Sequence, residues 1–190
     1  MFLHRRQLRT LISIMYVFEF KTKIPGSDIN LEINASEKHI EEVEIINGKR
    51  INEKHEKRDM PRLSKNDLSR LPHLYKLINL LDDYFSYKST DFTDIPVNFS
   101  LYSDFSSKIL KTLRNVKYGE TFSYRELGIK AGYDGKYSRA CATALSINKT
   151  PIILPCHRIT ASGGKLGGWS GGGGIQFKAA LLFLEQNRQF

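Results

Sequence analysis

The chain has 190 residues, 41% of them hydrophobic and 26% charged, which is typical of a soluble globular protein with one good-sized domain or two small ones. No stretch approaches the roughly 18 apolar residues that would span a bilayer, and two cysteines cannot form a disulfide framework, so we expect a reducing compartment. The net charge of +9 is concentrated, because residues 1–100 carry +1 and residues 101–190 carry +8. Such an excess in one half is typical of a module that binds a polyanion, although a merely basic surface is the alternative.

The first 95 residues are predicted to form a small α/β support domain. Residues 1–14 begin with a basic run, but Thr10 and Ser13 interrupt its apolar stretch, so we expect a flexible or non-native leader and not a signal peptide. β-Branched and aromatic residues, partly in alternation with polar ones, then predict three strands. These strands cover residues 14–22, 29–34 and 39–46.

Residues 47–100 are predicted to hold a turn, a loop, one helix and a linker. Asn47-Gly48 is typical of a tight turn, and the charged residues 52–67 predict a loop. The helix is predicted from apolar residues at helical spacing, namely Leu74, Leu77, Ile78, Leu81 and Phe85. Residues 89–100 contain a proline and turn-forming residues, and we interpret them as the linker, with the domain boundary between residues 95 and 96.

Residues 96–190 are predicted to form a mainly helical domain. Ser103 or Asp104 can cap its first helix, and Ser123 with Glu126 has the spacing of a capping box for its second. Near the end of the chain, residues 176–187 predict a final amphipathic helix.

A helix-turn-helix is predicted in the same basic half. The second helix is expected to end near Gly132, and the next helix is expected to have Ser138 as its N-cap and Arg139 at its start. Two short helices joined by a glycine-containing turn are typical of this DNA-binding motif. After them, residues 151–155 are interpreted as a buried extended run and residues 160–174 as a glycine loop or small wing.

Cys156 is the candidate chemical centre, because His157 and Arg158 follow it directly. A cysteine becomes a nucleophile as the thiolate, which needs a nearby cation, an imidazole or a helix N-terminus. Neighbouring residues of an extended segment point to opposite sides, so a bridging water would have to carry the thiol proton to the imidazole. The alternative is a free cysteine that packs as a small hydrophobic residue.

Three other kinds of site were weighed against this interpretation. A zinc site needs about four ligands at compact spacing, but the chain has no C-x-x-C or H-x-x-x-H, and its other histidines lie in the other half. The P-loop pattern G-x-x-x-x-G-K-[ST] is also absent. A cysteine hydrolase with a distant histidine stays open on spacing alone. We therefore expect no metal and no cofactor.

Five motifs carry a family resemblance that covers residues 101–187. They are VKYGETFSYRELG, SRACATAL, NKTPIILPCHRI, GGKLGGWSGG and KAALLFLE, and Pro-Cys-His-Arg after a buried Ile/Leu run is the most specific. This part of the chain closely resembles the O6-alkylguanine-DNA alkyltransferases, or methylated-DNA–protein-cysteine methyltransferases, and LLDDYFSYKSTDF resembles the segment before that domain. The resemblance implies an α+β protein, with a small ribonuclease H-like N-terminal domain and a C-terminal helix-turn-helix or winged-helix-like domain.

The resemblance implies a single-turnover DNA repair enzyme whose catalytic residues are Cys156, His157, Glu185, Tyr124 and Asn148. Cys156 would accept the alkyl group from O6-alkylguanine and could accept it from O4-alkylthymine. His157 would take the thiol proton through a water, with Glu185 orienting the imidazole. Tyr124 would donate a hydrogen bond to the departing base, and Asn148 would brace the turn before the cysteine. A thioether is a poor leaving group, so the protein would react once and stop.

The family also implies residues for DNA binding and for the substrate pocket. Because the target base is stacked in the duplex, it must be flipped out, and Arg139 would fill the gap that it leaves. The DNA-binding residues would be Tyr124, Ser138, Arg139 and Ala140, and the substrate pocket would be lined by Pro151, Gly168, Trp169, Ser170 and Lys178. Taken alone, these residues have ordinary explanations, such as a phosphate-binding arginine, a helix C-cap asparagine or a solvated lysine.

This chain departs from the family pattern in three places. It lacks the tryptophan common at the start of the domain, and it has two extra residues between the WSGG motif and Lys178. Cys141 replaces a common apolar residue, and we interpret it as a packing residue. The glycine-loop extension makes the substrate range harder to predict than the chemistry.

The expected partner is double-stranded DNA containing O6-alkylguanine. We expect the protein to be a monomer and not to associate with a membrane. The expected location is the cytoplasm and nucleoid, or the nucleus in a eukaryote. Two other functions were considered, a binder that flags alkylated bases without reacting and a transcription regulator. The first would lack the cysteine of the Pro-Cys-His-Arg motif, and the second would prefer particular undamaged sequences.

Overall fold

The structure is a computed structural model that describes residues 15–24, 27–46 and 62–186. The predicted leader, the Asn47-Gly48 turn and most of the predicted charged loop lie outside the described residues. Within the described part of the chain, none of the helices combines the length and the apolar character that a membrane crossing requires.

In the described residues of the N-terminal part, an antiparallel sheet packs against an α-helix. The strands are β1 (Tyr16–Ile24), β2 (Ser27–Ala35) and β3 (Ile40–Ile46), in the order β1-β2-β3, and the helix is α1 (Pro72–Phe85). Successive side chains of each strand point to opposite faces of the sheet, and one face is buried. Leu31 of β2 lies on this face and is fully buried. Phe20 of β1 stacks on Phe85 of α1, with ring centroids 6.1 Å apart. The three strands and the helix agree with the sequence-based expectation.

Four helices and a two-stranded sheet form the C-terminal part. The helices are α2 (Asp104–Arg114), α3 (Tyr124–Lys130), α4 (Ser138–Ser146) and α5 (Gly174–Gln186), and β4 (Phe122–Ser123) pairs in parallel with β5 (Ile159–Thr160). Ser103 caps α2 by accepting from the backbone N–H of Ser106. The predicted capping box at the start of α3 is also present. The molecule is therefore a mixed α+β protein, as the sequence indicates.

The start of α4 differs from the prediction. Ser138 is the first helical residue and not the N-cap, a position that Tyr137 takes without a side-chain cap. The Ser138 hydroxyl instead donates to the carbonyl oxygen of Gly135 at 3.1 Å. A 3₁₀ turn over Gly135–Tyr137 runs directly into α4, so the backbone is already helical at Ser138 and leaves its side chain no capping role.

The predicted linker is tightly packed. Phe92, Ile95 and Val97 are buried in one hydrophobic cluster that also contains residues from both halves of the molecule. The backbone N–H of Ile40 in β3 donates to the carbonyl of Pro96 at 2.8 Å, and Arg114 of α2 donates to the carbonyl of Ile95 at 2.9 Å. This segment therefore joins the sheet to the helical part through the core.

Candidate functional site

Cys156 lies at the start of a 3₁₀ turn, Cys156–Arg158, directly after a buried tight turn. The expectation of an extended run over residues 151–155 was wrong, although the run is buried as predicted. Ile152 has φ of 74°, and the backbone N–H of Leu154 donates to the carbonyl of Thr150 at 2.9 Å. Pro155 then ends the turn, since proline lacks the N–H needed to continue such bonding. Cys156 and His157 therefore do not alternate as residues of a strand do.

Asn148 braces this turn and contacts the thiol. Its side-chain amide donates to the carbonyl of Leu154 at 2.9 Å and to Cys156 Sγ at 3.3 Å. Its side-chain oxygen accepts from the backbone N–H of Thr150 at 3.0 Å. One side chain thus joins both ends of the turn and points a donor at the sulfur.

The half-buried thiol of Cys156 has opposing electrostatic influences. Burial raises its pKa, whereas the Asn148 hydrogen bond and the positive charge of Lys178 lower it. The net result is a raised pKa, so the thiol is protonated at neutral pH and needs a base to become a nucleophile.

His157 and Glu185 form a buried pair beside this cysteine. His157 Nε2 lies 2.7 Å from Glu185 Oε1, and their side chains are 0% and 1% exposed. Because an ionised carboxylate only accepts hydrogen bonds, Nε2 carries the proton and Nδ1 is the basic nitrogen. Nδ1 is buried and makes no hydrogen bond to the described residues. Burial lowers the pKa of His157 despite the neighbouring carboxylate, which favours the neutral imidazole.

Glu185 is held as a carboxylate by several donors. Arg158 Nε donates to Oε2 at 2.9 Å, and the Arg158 guanidinium also reaches Oε1 at 3.0 Å. The backbone N–H of Gly119 donates to Oε2 at 3.0 Å. Burial favours the neutral acid, but His157 and Arg158 together hold the pKa of Glu185 far below its usual value. Glu185 therefore keeps its negative charge across the physiological pH range.

Sequence reasoning missed two members of this cluster. The sequence analysis names Arg158 only as a neighbour of Cys156, without a role of its own, and does not single out Tyr84. The Tyr84 hydroxyl donates to Glu185 Oε1 at 2.7 Å. Its position at the buried end of an amphipathic helix suggested core packing, and only the hydroxyl group hinted at a polar partner.

The glycine loop packs on Tyr124 and Lys178, two residues near the cysteine. A Cβ on Gly167 would meet the ring of half-buried Tyr124 at 3.3 Å, so this glycine permits close packing on the tyrosine. Lys178 is fully buried, and its ammonium donates to the carbonyls of Ile159 and Gly168. Trp169 donates its indole N–H to the carbonyl of Gly172 at 3.1 Å.

A groove of about 700 Å³ opens between this loop and the N-terminal sheet. Asn148, Pro151 and Ser170 line it on the C-terminal side, and residues of β3 form the opposite wall. Cys156, Gly168, Trp169 and Lys178 are not among the residues that line this groove. Direct contacts bring Asn148, Cys156, His157 and Glu185 to one place, and Tyr124 and Lys178 lie close enough to interact electrostatically with the thiol.

The α3-turn-α4 unit presents a separate surface. Arg139 is exposed at the start of α4, where Ser138 and Ala140 are half-buried. Cys141, on the inner face of α4, is fully buried and lies close to Gly128 of α3, as expected for a packing residue. Among residues 15–24, 27–46 and 62–186, no cluster of three or more His, Cys, Asp or Glu side chains could hold a metal ion.

Comparison with known proteins finds similarity in the C-terminal part. Residues 104–187 match the family model described as 6-O-methylguanine DNA methyltransferase, DNA binding domain. This part of the chain is therefore similar to that domain. Over 109 residues, 57% of this chain, it is 40% identical to a methylated-DNA–protein-cysteine methyltransferase of Metallosphaera sedula. This match spans 65% of that relative, just under two thirds of its length.

Solved structures extend the similarity to both halves. A crystal structure of the Mycobacterium tuberculosis O6-methylguanine methyltransferase is 26% identical, with a TM-score of 0.70, covering 93% of this chain and 95% of that one. A structure of the Mycobacterium tuberculosis OGT in complex with DNA is 27% identical, with a TM-score of 0.69, covering 91% and 94%. The similarity to these two structures therefore includes the N-terminal sheet and helix.

Proposed function

We propose that this protein repairs DNA by direct reversal, moving the alkyl group of O6-alkylguanine onto Cys156. The observation that carries the proposal is the buried His157–Glu185 pair beside a half-buried thiol that Asn148 contacts at 3.3 Å. A neutral ether carbon is a weak electrophile, so the thiol needs such activation.

The reaction uses this geometry in one displacement. His157 Nδ1 takes the thiol proton through a water, and Glu185 stabilises the imidazolium that forms. The Cys156 sulfur attacks the alkyl carbon, so a C–S bond forms while the bond from carbon to O6 breaks and its electron pair stays on the guanine. The base takes up a proton as it leaves, assisted by a hydrogen bond from Tyr124. The thioether cannot be displaced by a nearby thiol, since Cys141 is buried on α4, and the protein reacts once.

The target base reaches the thiol after it is flipped out of the duplex. In this proposal, α4 lies against DNA, Arg139 fills the vacated place in the stack, and Ser138 and Ala140 contact the adjacent backbone. The flipped guanine enters beside Tyr124 and the glycine loop. Its pocket is formed by Pro151, Gly168, Trp169, Ser170 and Lys178. Double-stranded DNA is thus the partner, bound by a monomer, with residues 1–95 as a support domain and 96–190 as the reacting domain.

The test is the intact mass of the protein after incubation with a duplex containing one O6-methylguanine. We expect a gain of one methyl group per chain, located on Cys156 by peptide mapping, with DNA repair that stops at one equivalent. Cys156→Ser should bind the duplex and gain no mass, and an unmodified duplex is the substrate control. Folded wild-type protein that binds the lesion without gaining mass would contradict the proposal and indicate a non-reacting binder.

A further inference from the structure

Tyr84 brings a hydroxyl group from the N-terminal part to the carboxylate of the proposed reaction site. It lies near the end of α1, is fully buried, and is 101 positions from Glu185 in the chain. Its hydroxyl is 2.7 Å from Glu185 Oε1 and 3.4 Å from His157 Nε2. Its ring makes edge contacts with Phe92 and Tyr118 at centroid distances of 5.7 and 5.8 Å. The hydroxyl is therefore held in place by packing on several sides.

The same carboxylate oxygen accepts from Tyr84 and from His157. Glu185 Oε1 receives the phenol and the imidazole at 2.7 Å each and the Arg158 guanidinium at 3.0 Å, while Oε2 receives Arg158 Nε and the backbone of Gly119. Donors on both oxygens hold the carboxylate in one orientation. This arrangement holds the imidazole with the proton on Nε2 and the lone pair on Nδ1.

We infer that Tyr84 is a positioning residue of the alkyl-transfer site, which acts through Glu185 to set the tautomer and the basicity of His157. The inference rests on the proposed function and extends the site into the N-terminal part. A hydrogen bond donated to a carboxylate withdraws part of its charge, so Glu185 attracts the imidazole proton less strongly. His157 then stays neutral and ready to accept the thiol proton.

Other charged or titratable groups also face this pair, and one of them, the Arg158 guanidinium, donates to the same carboxylate oxygen as the phenol. They are Arg158 and Cys156 on the 3₁₀ turn, Lys178 on α5 and Tyr118 in the loop after α2. Burial and the Glu185 charge hold the pKa of Tyr84 well above its usual value, so it donates at every pH of interest.

The test compares Tyr84→Phe with Tyr118→Phe. Both changes remove one buried hydroxyl, but the Tyr118 hydroxyl donates to the carbonyl of Leu184, whereas the Tyr84 hydroxyl donates to the carboxylate. Two quantities are measured. One is the pKa and tautomer of His157 by ¹⁵N NMR without DNA, and the other is the single-turnover methyl-transfer rate against pH.

In Tyr84→Phe we expect the His157 pKa, and with it the apparent pKa of the acid limb of the rate profile, to rise by about 0.5 to 1 unit. At pH values below that pKa, the methyl-transfer rate should therefore fall about three- to tenfold. Tyr118→Phe should leave both unchanged. Incorporation of 3-fluorotyrosine at position 84, a stronger donor of nearly equal size, should shift both in the opposite direction. The fluorinated protein keeps the inference testable if Tyr84→Phe does not fold.

The NMR readout separates the two proposals. If wild-type protein does not take up a methyl group but Tyr84→Phe changes the His157 tautomer or pKa, the function is wrong and the positioning role stands. If methyl transfer occurs and neither Tyr84 variant moves the His157 pKa or the acid limb, the positioning role is overturned.

Discussion

Asn148 is the residue on which the presentation of the thiol most directly depends. Its side chain bonds the Leu154 carbonyl, the Thr150 backbone N–H and the Cys156 sulfur. Asn148→Ala leaves these groups without their partner, so we expect the free energy of unfolding to fall by about 1–3 kcal/mol. The pKa of Cys156 should rise further, because a donor to the thiolate is lost.

Urea denaturation and the rate of Cys156 modification by iodoacetamide at pH 8 check this prediction. The matched control is Asn115→Ala, since Asn115 is exposed and its side-chain amide donates to the Lys111 carbonyl at the end of α2, away from the cysteine. Unchanged stability and unchanged thiol reactivity in Asn148→Ala would contradict a bracing role.

Acid sensitivity follows from the buried pair. The pKa of Glu185 is lower in the folded state than in the unfolded chain, so its stabilisation is present above about pH 4.3 and is lost as the pH falls below that value. The pKa of His157 is also lowered, so below about pH 6.5 the unfolded chain takes up a proton that the folded protein resists. Both effects predict that the free energy of unfolding decreases on acidification.

We expect a decrease on the order of 1 kcal/mol per pH unit between about pH 6 and 5, measured from urea midpoints. His157→Gln should flatten the pH dependence in that range, whatever its own stability. Asp94→Asn, which removes an exposed carboxylate paired with Lys76, should keep the wild-type slope. A wild-type midpoint that stays constant from pH 7 to 5 would refute the assignment.

At the scale of elements, the glycine loop depends on close contact with β3. A Cβ on Gly172 would overlap the backbone carbonyl oxygen of Ile45. This oxygen belongs to the backbone of β3, so it cannot move aside as the end of a flexible side chain could. Gly172→Ala should therefore lower the free energy of unfolding by about 1–3 kcal/mol and displace the loop. Gly168→Ala is the control for stability, because a Cβ there meets no atom within 4 Å, and its effect should stay within about 0.5 kcal/mol. Thermal unfolding of both variants decides the matter.

In the α3-turn-α4 unit, the insertion of Arg139 into the base stack can be tested separately from phosphate binding by Lys136. Arg139→Ala should slow methyl transfer from duplex DNA by about tenfold or more and change transfer from single-stranded DNA little, since only the duplex needs the stack filled. Lys136, an exposed lysine in the turn before α4, provides the comparison. Lys136→Ala should weaken binding to both DNA forms similarly and reduce the salt slope by about one. Equal losses on single and double strands for Arg139→Ala would contradict an insertion role.

At the scale of the whole molecule, the two parts share one core. Val43 of β3 donates its backbone N–H to the carbonyl of Lys149 beside the site, and Tyr84 completes the carboxylate cluster. Because the fragment 96–190 would expose the surface that α1 and residues 91–95 cover, we expect it to unfold at a lower temperature than the full chain. It should also transfer methyl groups more slowly even when folded. A fragment with full stability and full activity would show that the N-terminal part is dispensable.

Local signals were sufficient for much of the helical part. The serine caps at Ser103 and Ser123 depend on contacts within a few residues, and the apolar spacing of α1 depends on its own period. The predicted N-cap at Ser138 and the predicted extended run over residues 151–155 were both wrong, because neither conformation is set by local contacts alone. A preceding 3₁₀ turn and a residue at positive φ are set by the surrounding packing, which the local pattern does not contain.

The sequence alone determined the α-helices, the three N-terminal strands and the neighbouring Cys156 and His157, because these depend on periodicity, capping and covalent order. It indicated Glu185 only through a family resemblance. The tertiary structure decided that Tyr84, Arg158 and Glu185 meet around one imidazole, and that the predicted linker is part of the core. Contacts between residues 27 to 101 positions apart arise when helices pack and exclude water. No short stretch of the chain encodes that geometry by itself.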